Sequence, residues 1–399
     1  ERSMSSFIKN AWYVAAQSLE LTDSLLGRVI CGDPVVMFRT EAGEPAILED
    51  RCCHRHLPLS LGKRVGDRVQ CGYHGLEFDA DGVCVSVPGQ SRVPPGAGVR
   101  SYPTVERYRY IWIWPGDPEK ANPELIPDYH WNDDPGWVSN TGYFYVESNH
   151  QLLVDNLLDL SHVQFIHATT LGADGVTDAP LNTTRDGDRV HIDRWIMDMP
   201  PPAMFAGAGD FPGDVDRWQL ITWTAPTHVV IDVGCANAGS GARDGNRDQG
   251  ITIYSNHTIT PETQKSCHYF WHHARNYRLD DEELTKFLAN AAGTAFGEDV
   301  DILAAQQCSI DTAGDDWHGI DINADAGVPV VVQRGYQVGE RNGCRRNHVA
   351  LIGARGETLS VINIGRSENG SKATTDLGSV QPGHAGRVTK QGAGVFGGG

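Results

Sequence analysis

CCHRHLPLSLGKRVGDRVQCGYHG, residues 52–75, sets three cysteines and three histidines into what otherwise reads as a strand, a polar turn and another strand. Cys52-x-His54 and, sixteen residues on, Cys71-x-x-His74 form two short clusters on successive loops. Thiolates and imidazoles at such spacing are metal ligands, and two chemistries fit them. One is a tetrahedral structural zinc. The other is a two-iron, two-sulfur cluster in which the thiolates hold one iron and the imidazoles the other. Pro58 and the Gly72-Tyr73-His74-Gly75 turn favour the cluster, because they keep both loops short and close, so that it is shielded yet presents its imidazole edges outward. Cys53 and His56 fall outside the pattern, and Cys53 is read as a packed neighbour.

Around this stretch, residues 7–115 are short β-branched and aromatic runs punctuated by turn residues: GRVICG, VVMFRT, AILED, LEFDADGVCVSV, YIWIWPG. That is the pattern of a small all-β domain, and Asp81-Gly82 is a hairpin signal inside it. PGDPEKANPELIPD, residues 115–128, interrupts the pattern and is taken as the domain boundary. Beyond it come a strand in WVSNTGYFYVESN, an amphipathic helix over residues 150–167, five further strand-like runs spaced like an antiparallel meander, and a helix from Asp280 to about Gln307. The expected fold class is α+β, with an all-β domain at 4–117 and a catalytic domain at 118–340. Residues 341–399 are rich in glycine and polar residues and are expected to be a poorly ordered tail, although ETLSVINIG within them could pair as a strand.

Composition narrows the possible functions. Lysine and arginine total 33 against 51 acidic residues, giving a formal charge of −18, and no basic stripe interleaved with aromatics is present. Nucleic acid is therefore not an expected partner. No run of eighteen apolar residues appears and the N-terminus lacks a secretory signal, so no membrane association and a cytoplasmic location are expected. Nine cysteines in a long chain argue against a disulfide framework, and Cys31, Cys84, Cys235, Cys267 and Cys308 read as small apolar residues. No G-x-G-x-x-G follows a strand and no flavin fingerprint is visible, so electrons must come from a separate reductase.

A second metal signal lies in LLVDNLLDLSHVQFIH. Asp155, Asp159 and His162 fall within about 60° of one another on a helical wheel, whereas His167 lies about 140° from His162. The helix must end or widen between the two histidines if both are to hold one metal. In the late helix AGTAFGEDVDILAAQQ, Asp299 shares a face with Phe296, Ile302, Leu303 and Gln306, and Asp301 lies opposite. A carboxylate on a buried face needs a partner, so Asp299 is the preferred third ligand and Asp301 the alternative. Two histidines and one carboxylate make a facial triad with positions open for dioxygen chemistry.

Together the two signals resemble the oxygenase component of the Rieske non-haem iron oxygenases. NAWYVAA, PLSLG, QCGYHGLEFD, IWIWPGD, LLVDNLLDLSH, HTITPET and CHYFWHHARN are most similar to the vanillate O-demethylase and dicamba-demethylating oxygenases, over residues 7 to about 336. Beyond that the glycine-rich tail stands where the family has a closing helix. The resemblance implies a Rieske [2Fe–2S] domain with Cys52, His54, Cys71 and His74 as ligands, followed by a helix-grip domain with an antiparallel sheet. It implies a mononuclear non-haem Fe(II) held by His162, His167 and Asp299; Asn156, one turn before Asp159, is a candidate to line the same site, against the alternative of an amide that only caps or solvates the helix. Asp159 would bridge its own His162 and His74 of a neighbouring subunit in a cyclic homotrimer. The implied reaction is O2-dependent O-demethylation of a methoxylated, vanillate-like aromatic acid to a phenol and formaldehyde, with electrons from an NAD(P)H-dependent reductase of ferredoxin or flavin type. His257 is the candidate for the substrate carboxylate, against the alternative of an exposed strand-end histidine. Methyl hydroxylation, ring dihydroxylation, or a Rieske electron carrier without oxygenase activity are the other readings.

Overall fold

The structure, a computed structural model, describes residues 7–167, 179–247 and 250–313, and the strand backbones at 330–333, 347–352 and 358–364. The N-terminal strands are β1 (Tyr13–Gln17), β2 (Leu26–Ile30), β3 (Asp33–Arg39), β4 (Pro45–Glu49), β5 (Lys63–Val65), β6 (Arg68–Gln70), β7 (Glu77–Phe78), β8 (Cys84–Ser86), β9 (Thr104–Arg107) and β10 (Tyr110–Ile113). They form small antiparallel sheets ordered β1-β10-β9, β2-β3-β4 and β5-β6-β7-β8. The Asp81-Gly82 hairpin forms as expected, with Gly82 at φ 80°.

The unbroken apolar runs of β1 and β10 have a packing cause. Alternate side chains of a strand point to opposite faces, and here both faces are buried. Tyr13, Ala15, Ile111 and Ile113 join the core of the first domain. Trp12, Val14, Tyr110, Trp112 and Trp114 turn the other way and pack with Tyr129, Trp131, Phe270 and Ala274. The indole N–H groups in this layer are satisfied: Trp12 donates to the Asn122 carbonyl (2.8 Å), Trp114 to that of Asp117 (2.9 Å), and Trp131 to Asn256 Oδ1 (3.1 Å). The Pro-rich segment at 115–128 is thereby pinned, with single turns capped by Asp117 and Asn122.

Seven strands follow: β11 (Val138–Val146), β12 (Leu181–Asp186), β13 (Arg189–Met199), β14 (Val215–Thr224), β15 (His228–Asn237), β16 (Ile251–Thr263) and β17 (Ser266–Arg275). They make one antiparallel sheet ordered β11-β17-β16-β15-β14-β13-β12. Even-numbered residues of β15 to β17 face the aromatic layer, where His228, Thr260 and His272 bond the Trp12 carbonyl, the Val14 carbonyl and Tyr110 Oη. Odd-numbered residues face the helices. Phe296, on the late helix, meets the rings of His257 (5.1 Å) and Trp271 (5.2 Å). With both faces covered, every residue of β17 is buried, and the period-two polar alternation is absent.

The expected helix over 150–167 is broken. α1 (His150–Leu158) ends at Asp159, which leaves helical geometry (φ −111°, ψ 87°). A 3-10 turn, Leu160–His162, and the single turn α2 (Val163–Ile166) follow. The break precedes His162 rather than falling between the histidines, because the Asp159 carboxylate accepts from Ser161 N and Oγ and so caps the next turn. After α3 (Ala203–Ala208), α4 (Glu282–Ala313) runs longer than expected, its first turn bonded through Asp281 Oδ1 to Leu284 N. Separately, β18 (Val330–Gln333), β19 (Asn347–Ile352) and β20 (Thr358–Ile364) pair antiparallel, so a strand does form within ETLSVINIG. No described helix is long and apolar enough to cross a membrane.

Candidate metal centres and the cavity between helices and sheet

The two loops at the N-terminal site repeat one backbone design. Cys52 N donates to the Leu57 carbonyl (2.9 Å) and Cys71 N to that of Leu76 (2.8 Å); four residues after each cysteine, His56 N and Gly75 N donate back to the Cys52 and Cys71 carbonyls. His56 and Gly75 sit at equivalent positions with φ of 58° and 74°. His56 thus occupies a left-handed turn position that usually favours glycine, and its side chain is exposed. The loops press together closely enough that a Cβ on Gly72 would meet the Leu61 carbonyl at 2.8 Å. Cys52 and Cys71 point inward and are buried, while His54 and His74 are exposed with ring centroids 4.5 Å apart. Burial pushes the Cys52 thiol up to about 11, opposed by the His54 backbone N–H and reinforced by Cys71. Two thiols placed together suit a cationic centre, which deprotonates its sulfur ligands. The donor set, two sulfurs inside and two imidazoles outside, fits the mixed cluster. Cys53 departs from expectation: it is exposed rather than packed, as is Cys308 on α4. In the loop the chain turns Cys52 into the core and its neighbour to solvent.

His162, His167 and Asp299 converge, each with a ligand atom within 4.8 Å of the others. His162 Nε2 lies 3.5 Å from Asp299 Oδ1 and His167 Nε2 lies 3.2 Å from Asp299 Oδ2. Each ring is held from behind through Nδ1. That of His162 is 2.6 Å from the Asp159 carbonyl, which only accepts, so Nδ1 carries the proton and Nε2 has a free lone pair. That of His167 is 2.7 Å from Glu298 Oε2. Such outer partners fix tautomer and ring direction in metal sites. Asn156 Nδ2 donates to Asp299 Oδ1 (3.1 Å). Burial pushes His162 down against the pull of Asp299; for His167 burial acts the same way, but Asp299 and Glu298 outweigh it and the net direction is up. Two imidazoles and one carboxylate on a common, mostly buried face fit a divalent iron.

Several expectations need adjustment. Asp159 does bond its own His162, but through its backbone carbonyl, and its carboxylate caps the short helix. Asp155 gives its carbonyl to Asp159 N (3.1 Å). Asp299 is buried and Asp301 exposed, in keeping with the helical-face argument, yet the buried stripe continues to Gln307, and Ile302 is 48% exposed. His257 is fully buried in mid-strand, which removes the strand-end alternative. Its Nδ1 is 2.6 Å from Tyr269 Oη, and burial pushes it down to about 3, so it is neutral.

A cavity opens beside the triad, between α1, α2 and α4 on one side and the odd-numbered face of the sheet on the other. Leu157, Val163, Met204, Phe205, Val233 and Phe296 give it apolar walls, and Asn156, Arg217, Gln219, Ser255, His257 and His273 are its polar lining besides the triad. Glu298, Arg217 and Gln219 were not anticipated from sequence. Two thiols with two imidazoles in the N-terminal region and a two-histidine, one-carboxylate pocket further along the chain are the donor sets that suit a two-centre iron oxygenase.

Comparison with known proteins agrees. Residues 11–103 match the Rieske [2Fe-2S] domain family and residues 146–337 the vanillate O-demethylase oxygenase C-terminal domain family. The chain is 40% identical over 327 residues to the toluene-4-sulfonate monooxygenase system iron–sulfur subunit of Comamonas testosteroni, spanning 81% of this chain and 94% of that one. It is 40% identical over 328 residues to a vanillate O-demethylase oxygenase subunit of a Pseudomonas species, spanning 80% and 92%. The crystal structure of dicamba monooxygenase bound to dicamba superposes with a TM-score of 0.73 at 36% identity, covering 79% of this chain and 93% of that one. Another structure of that enzyme contains non-haem iron. The chain belongs to the Rieske non-haem iron oxygenases. It is a monooxygenase component whose cofactors are a Rieske [2Fe–2S] cluster and non-haem iron, in a class that works with a separate reductase.

Proposed function

We propose that this chain is the terminal oxygenase of a system that O-demethylates a methoxylated, vanillate-like aromatic acid. In this reading residues 4–117 carry the cluster on Cys52, His54, Cys71 and His74, and residues 118–340 carry the iron on His162, His167 and Asp299. The observation that carries the reading is the convergence of those three side chains at a largely apolar cavity. The names of the relatives support the substrate class.

When bound, the iron centre supplies dioxygen activation with electrons delivered singly through the cluster. The protein's part is positional. The Asp159 carbonyl fixes the His162 tautomer, Glu298 holds His167, and Asn156 steadies Asp299. The apolar wall excludes water from the reacting methoxy group. Neutral His257 lines the cavity, and its Nε2 has no hydrogen-bond partner. In balance, the aryl methyl ether, O2, two electrons and two protons give an aryl hemiacetal and water, and the hemiacetal collapses to a phenol and formaldehyde. The outward His54 and His74 suit electron delivery to the partner subunit's Asp159 in a cyclic homotrimer working in the cytoplasm.

The test supplies a reductase, NADH and a panel of methoxybenzoates. Phenol and formaldehyde are expected in equal amounts, and about three irons per chain, two in the cluster and one mononuclear. Absence of formaldehyde across the panel, with NADH consumed on other aromatics, would refute it. The similarity to a toluene-4-sulfonate monooxygenase subunit makes benzylic methyl hydroxylation the second reading.

A further inference from the structure

The chain carries a strong negative charge, yet its cavity contains a buried guanidinium that, among the described residues, meets the Phe205 ring (5.9 Å) and no carboxylate. Arg217 on β14 lines the cavity and is 5% exposed, and its Nε and Nη1 have no hydrogen-bond partner. Among the described residues no carboxylate lies within ion-pair distance of it. Arg194, on β13, is 2% exposed and likewise has Nε and Nη1 without hydrogen-bond partners, but the Asp159 carboxylate favours its charge against the effect of burial.

The sheet register places the two together. Arg194 pairs with Gln219 and Ile196 with Arg217, so Arg194, Arg217 and Gln219 project from one face of two adjacent strands. The arginines are close enough for Arg194 to disfavour the Arg217 charge; with burial the larger cause, Arg217 is pushed down to about 10 and stays protonated at neutral pH. The cavity histidines do not share this role, since burial pushes His257 and His273 down to about 3 and about 4 and leaves them neutral.

Buried arginines elsewhere in the chain are handled differently. Arg275 is 2% exposed and, although its Nε is unpartnered, gives hydrogen bonds through both Nη atoms to the Tyr277, Arg278 and Asp281 carbonyls and to Thr285 Oγ1. Arg28 pairs with Glu20. Those are structural arginines with their acceptors supplied by the fold. Arg217, with donors unused and a second cation beside it, costs the fold stability unless an anion enters to meet it.

We propose that Arg217, backed by Arg194 and flanked by the Gln219 amide, is the anchor for the acid group of the substrate. The cavity then selects aromatic carboxylates or sulfonates over neutral analogues of the same shape. This rests on the reading of the cavity as the oxygenase site, and it places the acid anchor on the sheet, across the cavity from the triad on the helices. A planar carboxylate meets the guanidinium fork with two parallel hydrogen bonds, and a sulfonate presents two of its three oxygens in the same way.

The experiment measures binding, by calorimetry on the cluster- and iron-loaded chain under anaerobic conditions, of 4-methoxybenzoate, toluene-4-sulfonate and the neutral 4-methoxybenzamide. The wild type should bind at least one of the acids about 10- to 100-fold more tightly than the amide, the range for charge-assisted bonds. Arg217→Met should abolish that preference while binding the amide unchanged, and Arg217→Lys should keep part of it. Because Arg217→Met removes an unpaired buried charge, the ligand-free variant should melt at or above the wild-type temperature. Equal wild-type affinity for acid and amide, a preserved preference in Arg217→Met, or a lowered melting temperature in that variant would overturn the proposal. Formaldehyde release from 4-methoxybenzoate is scored separately. Acid selectivity through Arg217 without formaldehyde sinks the demethylase reading alone, and formaldehyde without acid selectivity sinks the anchor alone.

Discussion

Replacing Glu298 by glutamine tests whether the iron pocket is built from outside its ligands. The Glu298 carboxylate lies 2.7 Å from His167 Nδ1, behind a ring whose Nε2 faces Asp299. A charge-assisted hydrogen bond contributes about 1.5–3 kcal/mol. The Glu298 side chain is 31% exposed, so screening places it at the lower end, about 1.5–2 kcal/mol. That corresponds to about a 10- to 30-fold loss of Fe(II) affinity, within the usual range for outer partners of metal ligands. Glutamine keeps the shape and can still accept from Nδ1–H through Oε1, so the fold and the tautomer persist and the loss isolates the charge. Alanine removes the acceptor as well and should cost more. The assay loads the apo pocket with Fe(II) under anaerobic conditions against a competing chelator, with the visible absorption of the Rieske cluster as internal control. If Glu298→Gln holds Fe(II) within about twofold of wild type while Asp299→Ala loses it, the outer-carboxylate argument is wrong.

Asp159→Asn should keep both metal centres and lose turnover. Asparagine still caps the turn at Ser161 N, and the carbonyl that orients His162 is unchanged, so only the charge is removed; normal demethylation by this variant would exclude the bridging role. His56→Gly should leave the cluster spectrum intact and raise stability by up to about 1 kcal/mol, since it relieves a side chain held at φ 58°; loss of the cluster signal would make His56 a ligand. Stability should also fall in mild acid. Burial pushes His257 and His272 down to about 3 and His228 and His273 to about 4, so they stay neutral in the folded chain while the unfolded chain takes up protons near pH 6.5. The unfolded state therefore binds more protons below that point, and stability that is whole above pH 6.5 is lost as pH falls toward 3–4. At pH 5 each histidine costs about 2 kcal/mol. Thermal melting from pH 7.5 to 5 should drop steeply, and a flat profile would contradict the neutral assignments.

What was legible in the sequence was the chemistry that is local along the chain. Cys52, His54, Cys71 and His74 sit on two tight turns, and a wheel drawn on a straight helix is enough to choose Asp299 over Asp301. The errors lie where a neighbour distant in sequence decides. A wheel places Glu298 about 100° from Asp299 and so off the ligand face, yet His167 enters edge-on and touches both, one through each nitrogen. The break at Asp159 follows from a side-chain cap that competes with the next helical hydrogen bond, and a periodicity count does not register that competition. Arg194 and Arg217 read in sequence as ordinary charges in strands, RVHIDRWIM and VDRWQLITW. Only the pairing of Ile196 with Arg217 puts both on one buried face, and that register depends on turns and on packing against α4. The cluster loops could be read because their ligands are set by hydrogen bonds a few residues long, whereas the substrate side of the cavity is assembled across four strands. Specificity within this family should therefore change through sheet-face residues such as Arg217 and Gln219 while the metal motifs stay fixed, and exchanging those two positions between relatives should move acid selectivity without moving iron content.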